Sequence, residues 1–69
     1  MTEPLPILIE NSLQIAWDFL ERSGGIADPQ QAAEILLESI KTQVLKGESR
    51  TLMLSNRAIA AFEQRQNAA

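Results

Sequence analysis

A helix with both ends specified lies between residues 28 and 47, and this segment constrains the fold more than any other. Asp28 is a residue type that caps helix starts, and Pro29 suits the first helical position, where no backbone donor is needed. Gly47 supplies the left-handed conformation with which many helices end. At about 100° per residue, the apolar side chains between these ends form one stripe. The stripe consists of Ala33, Leu36, Leu37, Ile40 and Val44.

The chain has 69 residues and contains neither cysteine nor histidine. A chain this short buries only about 60% of the surface that its unfolded form exposes, so small domains often need a disulfide, a metal or a second copy. Without Cys and His, disulfides are excluded and the ordinary zinc, haem and iron–sulfur ligand sets are missing. We therefore expect no metal and no cofactor. Self-association is then the remaining way to stabilise so small a fold.

Residues 6–22 predict a first helix with a broad apolar face. Pro6 is acceptable as its first residue, and Pro4 and Pro6 together predict a loose segment over residues 1–5. The pair Gly24–Gly25 ends this helix. Its apolar residues cover more than half of the circumference, namely Leu8, Ile9, Leu13, Ile15, Ala16, Phe19 and Leu20, with Trp17 at one margin. A face this wide is expected to contact more than one other helix.

A third helix is predicted over residues 50–65, capped by Ser49 or Thr51. A break in this helix at Ser55–Asn56 stays open as an alternative, because both side chains compete for backbone hydrogen bonds. The polar residues 66–69 are expected to fray. No sustained period-two alternation occurs, so no strand is predicted. The expected fold class is all-α: one domain over residues 1–69, a small antiparallel three-helix bundle completed by homodimerisation, with helices at about 6–22, 28–46 and 50–65.

Five apolar side chains are predicted to contribute to an interface: Ile15, Trp17, Ile35, Leu45 and Met53. Ile35 lies almost opposite the stripe of the second helix and Leu45 projects from another flank, so a lone subunit is expected to leave both in water. Each large apolar side chain left exposed forgoes about 1.5–3 kcal/mol of burial. Trp17 is the expected anchor, because Trp is enriched at interface hot spots. Two alternatives stay open, that exposed apolar residues have no role and that Trp17 belongs to the core.

The charges are distributed unevenly along a chain whose net charge is -3. Residues 1–40 carry seven acids and one base, whereas residues 41–69 carry five bases and two acids. Acidic and basic residues prefer opposite ends of helices, and this preference explains the uneven distribution without assigning it a function. A functional alternative is a helix-turn-helix-like regulator that reads nucleic acid with its third helix. Its candidate contacts are Arg50, Asn56, Arg57 and Gln64.

Catalysis is not expected, since His, Cys and Tyr are all absent. Carboxylates at one-turn spacing, such as Glu34 with Glu38, fall on the arc away from the apolar stripe, where solvated charge is the ordinary explanation. No apolar stretch approaches the roughly 20 residues that span a bilayer, and the first residues lack the basic start of a secretory signal. We therefore predict a cytoplasmic protein–protein interaction module that forms a homodimer, with a larger protein partner as a further option, and neither nucleic acid nor membrane as its target.

Overall fold

The structure is a computed structural model that describes residues 4–67, with residues 66 and 67 described by their backbone alone. It contains three helices: α1 (Leu5–Arg22), α2 (Pro29–Leu45) and α3 (Thr51–Asn67). Each helix packs against the other two, and no strand occurs between residues 4 and 67. The predicted all-α, antiparallel three-helix bundle is confirmed.

The helix bounds differ from the predicted ones by one or two residues: α2 is one residue shorter at each end, α3 begins one residue later, and two other helix ends extend further. The Pro4 carbonyl oxygen accepts the first helical hydrogen bond, from the Leu8 N–H at 2.9 Å, so α1 begins at Leu5 rather than Pro6. At the other end α3 continues to Asn67. The segments expected to be loose, residues 1–5 and 66–69, are therefore helical at Leu5 and at residues 66 and 67. The remainder of that expectation, residues 1–3 and 68–69, lies outside the described residues.

Helix α2 begins as its sequence predicts. The Asp28 carboxylate accepts hydrogen bonds from the backbone N–H groups of Gln30 and Gln31 at 3.1 and 3.2 Å. These are two of the donors that the first turn of a helix leaves without a partner, and Pro29 has no donor to satisfy. The cap therefore depends on local chemistry that the sequence already contains.

Helices α1 and α2 end in the same hydrogen-bonding motif. The Gly25 and Glu48 N–H groups donate to the carbonyl oxygens of Leu20 and Gln43, at 2.9 and 3.0 Å. The intervening glycines, Gly24 and Gly47, have φ values of 73° and 99°, which side chains other than glycine rarely adopt. This is the Schellman arrangement, and it sets the direction in which the chain leaves each helix.

The core lies along the common axis of the three helices. Its members are buried hydrophobic residues from every helix: Leu8, Ala16 and Leu20 of α1, Ala32, Ile35, Leu36 and Ile40 of α2, and Leu54, Ala58 and Phe62 of α3. Ile26, from the turn between α1 and α2, packs against this cluster. Several core positions are alanines, which allow neighbouring helix backbones to approach closely.

The structure corrects the prediction that Ile35 is exposed to water. Its side chain is 9% exposed and belongs to the core. Helix α2 packs against both α1 and α3, and its buried face is turned from the predicted stripe towards Ala32, Ile35 and Gln43. Val44, Ala33 and Leu37 of that stripe are half-buried.

Two serines are buried inside helices, and one of them decides the continuity of α3. Ser55 is fully buried, and its hydroxyl donates to the Leu52 carbonyl oxygen at 3.1 Å. Ser12 is also fully buried and donates to the Leu8 carbonyl oxygen at 2.8 Å. Because each hydroxyl is satisfied within its own helix, neither serine breaks it. Helix α3 therefore runs through Ser55–Asn56 without interruption, and the predicted alternative of a break there is wrong.

Candidate protein-interaction surfaces

Helix α1 exposes one continuous row of side chains beside its buried face. The buried residues Leu8, Ser12, Ala16 and Leu20 follow each other at four-residue spacing. The next row at the same spacing consists of Ile7, Asn11, Ile15 and Phe19, and all four are exposed. Residues four apart are neighbours on a helix surface, so these side chains form a strip roughly 18 Å long. We call this strip the α1 row.

The α1 row is apolar at three of its four positions, and each of the three is close to half exposed. The exposed fractions are 48% for Ile7, 40% for Ile15 and 52% for Phe19. Isolated exposed apolar residues are ordinary, but several of them in one row on a helix face are typical of contact surfaces. Among the residues that sequence reasoning proposed for an interface, Ile15 belongs to this strip. Ile7 was missed, although its four-residue spacing to Asn11 and Ile15 is visible in the sequence.

The other predicted interface residues are dispersed. Trp17 is half-buried and packs against the core, and Met53 is half-buried on α3. Leu45 is 87% exposed, as expected for a side chain projecting from α2, and Leu52 of α3 is also exposed. Leu45 and Leu52 flank the turn between α2 and α3. The five predicted residues therefore do not form one surface.

The α2–α3 turn is organised by the carboxylate of Glu48. Its Oε2 accepts hydrogen bonds from the backbone N–H groups of Ser49 and Arg50, both at 3.1 Å, and from Arg50 Nε at 3.2 Å. Arg57 Nη1 lies 3.8 Å from Oε1. The carboxylate thus binds the two backbone N–H groups that precede α3, next to Ser49 and Thr51, whose hydroxyls were the predicted caps. This contact was not predicted, because Glu48 lies outside the helix.

The partners of Glu48 change its acidity. Hydrogen bonds from the Arg50 side chain and backbone lower the pKa of Glu48 from 4.5 to about 2. The ionised carboxylate therefore stabilises the fold above pH 4.5, and this contribution is lost as the pH falls from 4.5 towards about 2. The same contact raises the pKa of Arg50, which stays protonated throughout that range.

Glu48→Gln should make the free energy of unfolding less dependent on pH in the acidic range. Glutamine cannot ionise, so we expect the variant to melt at a lower temperature than the wild type at neutral pH, with the difference shrinking as the pH falls from 4.5 to about 2. Thermal unfolding followed by circular dichroism across this range measures the effect. Melting curves that stay equally far apart at every pH would contradict the assignment of this carboxylate.

The residues proposed for nucleic-acid contact are exposed, but two of them are engaged within the chain. Asn56 and Gln64 lie on the outer side of α3. Arg50 and Arg57 both form ion pairs with Glu48, at 3.2 and 3.8 Å. The cleft of about 450 Å³ at this turn is lined by Lys46 as well as by these three charged residues. Its positive charge is therefore partly neutralised by the protein's own carboxylate.

A second groove runs between α2 and α3 and contains a buried amide. The groove has a volume of about 240 Å³; Ile35, Gln43 and Ala61 line it, together with the charged residues Glu38 and Arg65. Gln43 is 9% exposed, and its Nε2 donates to the Leu54 carbonyl oxygen at 3.1 Å and to Ser39 Oγ at 3.4 Å. Its Oε1 has no hydrogen-bond partner among the described residues. A buried acceptor without a donor costs about 1–3 kcal/mol.

Gln43 is a residue that sequence reasoning missed, because a polar side chain is not assigned to a core by its hydrophobicity. Its spacing contains a usable signal, since it lies three residues after Ile40 and seven after Leu36, both of which are buried. At the helical period these positions share one face of α2.

Residues 4–67 contain no group of three or more acidic, histidine or cysteine side chains placed to hold a metal ion. None of the three helices, as far as they are described, is long and apolar enough to cross a membrane. Glu34 and Glu38 are exposed on α2, as the sequence predicts. Comparison with protein-family models, with curated proteins and with solved structures finds no match for this chain.

Proposed function

We propose that this chain is a small protein–protein interaction module without catalytic activity, and that it forms a homodimer through the α1 row. The observation that carries the proposal is the exposure of Ile7, Ile15 and Phe19 in one row on one helix face. A chain of 69 residues with no cysteine and no histidine cannot use a disulfide, and a second copy is an effective way to extend its core. The expected compartment, the cytoplasm, rests on the sequence alone.

An antiparallel pair of α1 helices is the arrangement that uses this row most fully. A two-fold axis at the middle of the row brings Ile7 of one copy opposite Phe19 of the other, and Ile15 opposite Asn11. The same patch then serves both copies, which is the usual symmetry of homodimers. In such a contact Ile7 faces Phe19 at both ends of the row, and Ile15 faces Asn11 on either side of the axis.

The energy available sets the expected affinity. Covering the exposed halves of three large apolar side chains contributes roughly 2–4 kcal/mol per copy, and therefore roughly 4–8 kcal/mol per dimer. Dissociation constants from about 1 mM to about 1 μM correspond to roughly 4–8 kcal/mol. Association also costs translational and rotational freedom, so we expect a dissociation constant in the weaker part of that range, on the order of 100 μM.

Contacts between copies can be detected directly. A mixture of isotope-labelled and unlabelled protein at high concentration should give intermolecular nuclear Overhauser effects between the Phe19 ring and the Ile7 methyl groups. These two residues are twelve positions apart on one rigid helix, roughly 18 Å along its axis, so a contact between them arises only between copies. Intermolecular effects confined to Leu45 and Leu52 would place the dimer contact at the α2–α3 turn instead.

Nucleic-acid binding is the weaker proposal, because Glu48 already holds two of the arginines that it needs. Phosphate contacts supply most of the affinity of nucleic-acid-binding proteins, and this chain has a net charge of -3. Non-specific DNA-binding proteins reach dissociation constants of about 10 μM. For this chain we expect fluorescence anisotropy with random duplex DNA at low salt to show no binding tighter than that value. Tight binding that falls steeply with salt and is removed by Arg57→Ala would favour the regulator.

A further inference from the structure

One end of the bundle has exposed apolar and basic residues that the proposed homodimer does not use. Because consecutive helices are antiparallel, the start of α1, the end of α2 and the start of α3 lie together at this end, which we call the turn end. We propose that the turn end binds the surface of an anionic lipid bilayer, with its leucines in the interface and its bases beside the lipid phosphates. The targets predicted from the sequence included no membrane, but the fold separates the charges along the bundle.

The three most exposed large apolar side chains of the described residues lie at the turn end. They are Leu45, Leu52 and Leu5, with exposed fractions of 87%, 66% and 53%. Leu5 is the first residue of α1, Leu45 the last of α2 and Leu52 the second of α3. Helical side chains lean towards the N-terminus of their own helix, so Leu5 and Leu52 lean towards this end of the bundle. Of the α1 row, Ile7 alone lies in the first turn of α1.

The basic residues are concentrated at the same end. The last two turns of α2, the α2–α3 turn and the first two turns of α3 contain four of the six bases, namely Lys41, Lys46, Arg50 and Arg57. The acids at the same level are Glu10 and Glu48, which leaves a net charge of +2. The other described residues contain two bases and six acids, a net charge of -4. A negatively charged plane therefore attracts the turn end and repels the opposite end.

The cations of the turn end face outwards, whereas the acid between them is covered. The Glu48 side chain is only 12% exposed, and it accepts hydrogen bonds from the backbone N–H groups of Ser49 and Arg50. The side chains of Arg50 and Arg57 are 72% and 56% exposed. Lys46 is exposed as well and forms no ion pair with a described residue. An approaching surface therefore meets the bases before it meets this carboxylate.

A bilayer suits the spacing of the leucines better than a folded partner does. The bundle is 21 by 17 Å across, and the three leucines lie at the ends of three different helices. The cleft at the turn contains none of them, and a shallow cleft on α2 contains Leu45 alone. They therefore do not form one pocket for a partner side chain, whereas a fluid interface can take up each leucine separately. Interfacial binding combines such apolar burial with attraction to anionic lipids, which are abundant in the cytoplasmic leaflet.

Vesicle co-sedimentation tests the proposal with the unmodified protein. The vesicles are phosphatidylcholine with or without phosphatidylserine, and the protein concentration is kept below the expected dissociation constant of the homodimer. We expect at least about tenfold tighter binding to the vesicles with phosphatidylserine, from the two net positive charges of the turn end. At about 1 M salt, where the screening length is about 3 Å, this difference should disappear.

Variants of exposed residues assign the binding to the turn end. The double variant Leu45→Gln with Leu52→Gln should bind at least about tenfold more weakly, and Lys46→Gln about fivefold more weakly at low salt. Arg22→Gln removes a base from the opposite end and should bind like the wild type. Phe19→Glu, which tests the α1 row, should also leave vesicle binding unchanged and so separates this proposal from the homodimer. All of these variants should retain the helical circular dichroism spectrum.

A fluorescent label locates the contact. Because the chain has no cysteine, Leu45→Cys and Glu34→Cys each provide a single site for an environment-sensitive fluorophore. Glu34 is exposed near the start of the same helix, so its label serves as the control. We expect vesicles with phosphatidylserine to shift the emission of the label at position 45 to shorter wavelength and to leave the label at position 34 unchanged.

Four results would overturn the proposal. The first is the absence of binding to vesicles with phosphatidylserine, and the second is binding that the leucine and lysine variants do not weaken. The third is an emission shift at position 34 in place of position 45. The fourth is chemical-shift changes at the turn end with soluble polyglutamate but no vesicle binding, which would assign this end to an acidic polypeptide.

Discussion

Ile40→Asp should unfold this protein at room temperature. Ile40 is fully buried at the centre of α2. The substitution removes a large apolar side chain and places a carboxylate where no cation is available to pair with it, a change that costs several kcal/mol. A domain of this size is stable by only roughly 3–10 kcal/mol in total. We expect the helical circular dichroism signal to be largely lost without denaturant.

Glu34→Ala is the matched control on the same helix. Glu34 is exposed, and the substitution removes one charge from the solvent side of α2 while keeping a strong helix former. We expect its urea midpoint to lie close to that of the wild type, within about 0.5 kcal/mol in free energy of unfolding. Equal losses in the two variants would mean that α2 presents a different face to the core.

Phe19→Glu should abolish self-association and leave the fold intact. Phe19 is the most exposed apolar side chain of the α1 row, so a charged side chain at its position remains in water in the monomer. In an antiparallel α1 pair the same carboxylate lies between apolar groups of both copies, where it cannot be paired. We expect the dissociation constant to rise at least about tenfold, a change of roughly 1.4 kcal/mol, with an unchanged melting temperature at low protein concentration.

Leu45→Glu tests whether self-association depends on the α1 row or on any exposed apolar side chain. Leu45 is more exposed than Phe19, but it lies on α2 and outside the α1 row. If self-association followed exposed area alone, the Leu45 variant would have the larger effect. We expect its dissociation constant to equal that of the wild type, measured by sedimentation in the same buffer. A larger effect of Leu45→Glu would shift the interface to the α2–α3 turn.

The helix ends could be predicted because their chemistry is local. Asp28 and Pro29 start α2, and Gly24 and Gly47 adopt the positive φ with which α1 and α2 end. Each of these features depends on side chains within a few residues of the backbone groups that they satisfy. The number of helices and the fold class follow from such features together with the apolar spacing.

The burial of Ile35 and Gln43 could not be predicted in the same way, since it depends on where α3 packs. A single helix shows which side chains share a face, but it does not show how wide the covered arc is. Helix α2 contacts both other helices, and its buried face is displaced to one side of the predicted stripe, towards Ile35 and Gln43. Gln43 is tolerated there because its Nε2 donates across the interface to the Leu54 carbonyl oxygen.

The sequence predicts a broad apolar face on the first helix, but it does not predict which residues of that face are exposed. An apolar excess on the first helix follows from composition and spacing, and Ile15 was selected from it. Trp17 packs against the core instead, and Ile7 completes the exposed row. The sequence alone does not separate these residues, because Ile15, Trp17 and Phe19 all lie on the broad apolar face that it predicts for α1. Only the positions of α2 and α3 decide which part of this face remains in water.

Sedimentation equilibrium over a wide concentration range tests the central claim most directly. The chain has a mass of 7.6 kDa. If the α1 row pairs two copies, the weight-average mass should rise from that of one chain towards that of two chains as the concentration increases from about 10 μM to about 1 mM, the interval that brackets the expected dissociation constant. A mass that stays at 7.6 kDa throughout would contradict the homodimer and the role assigned to the α1 row.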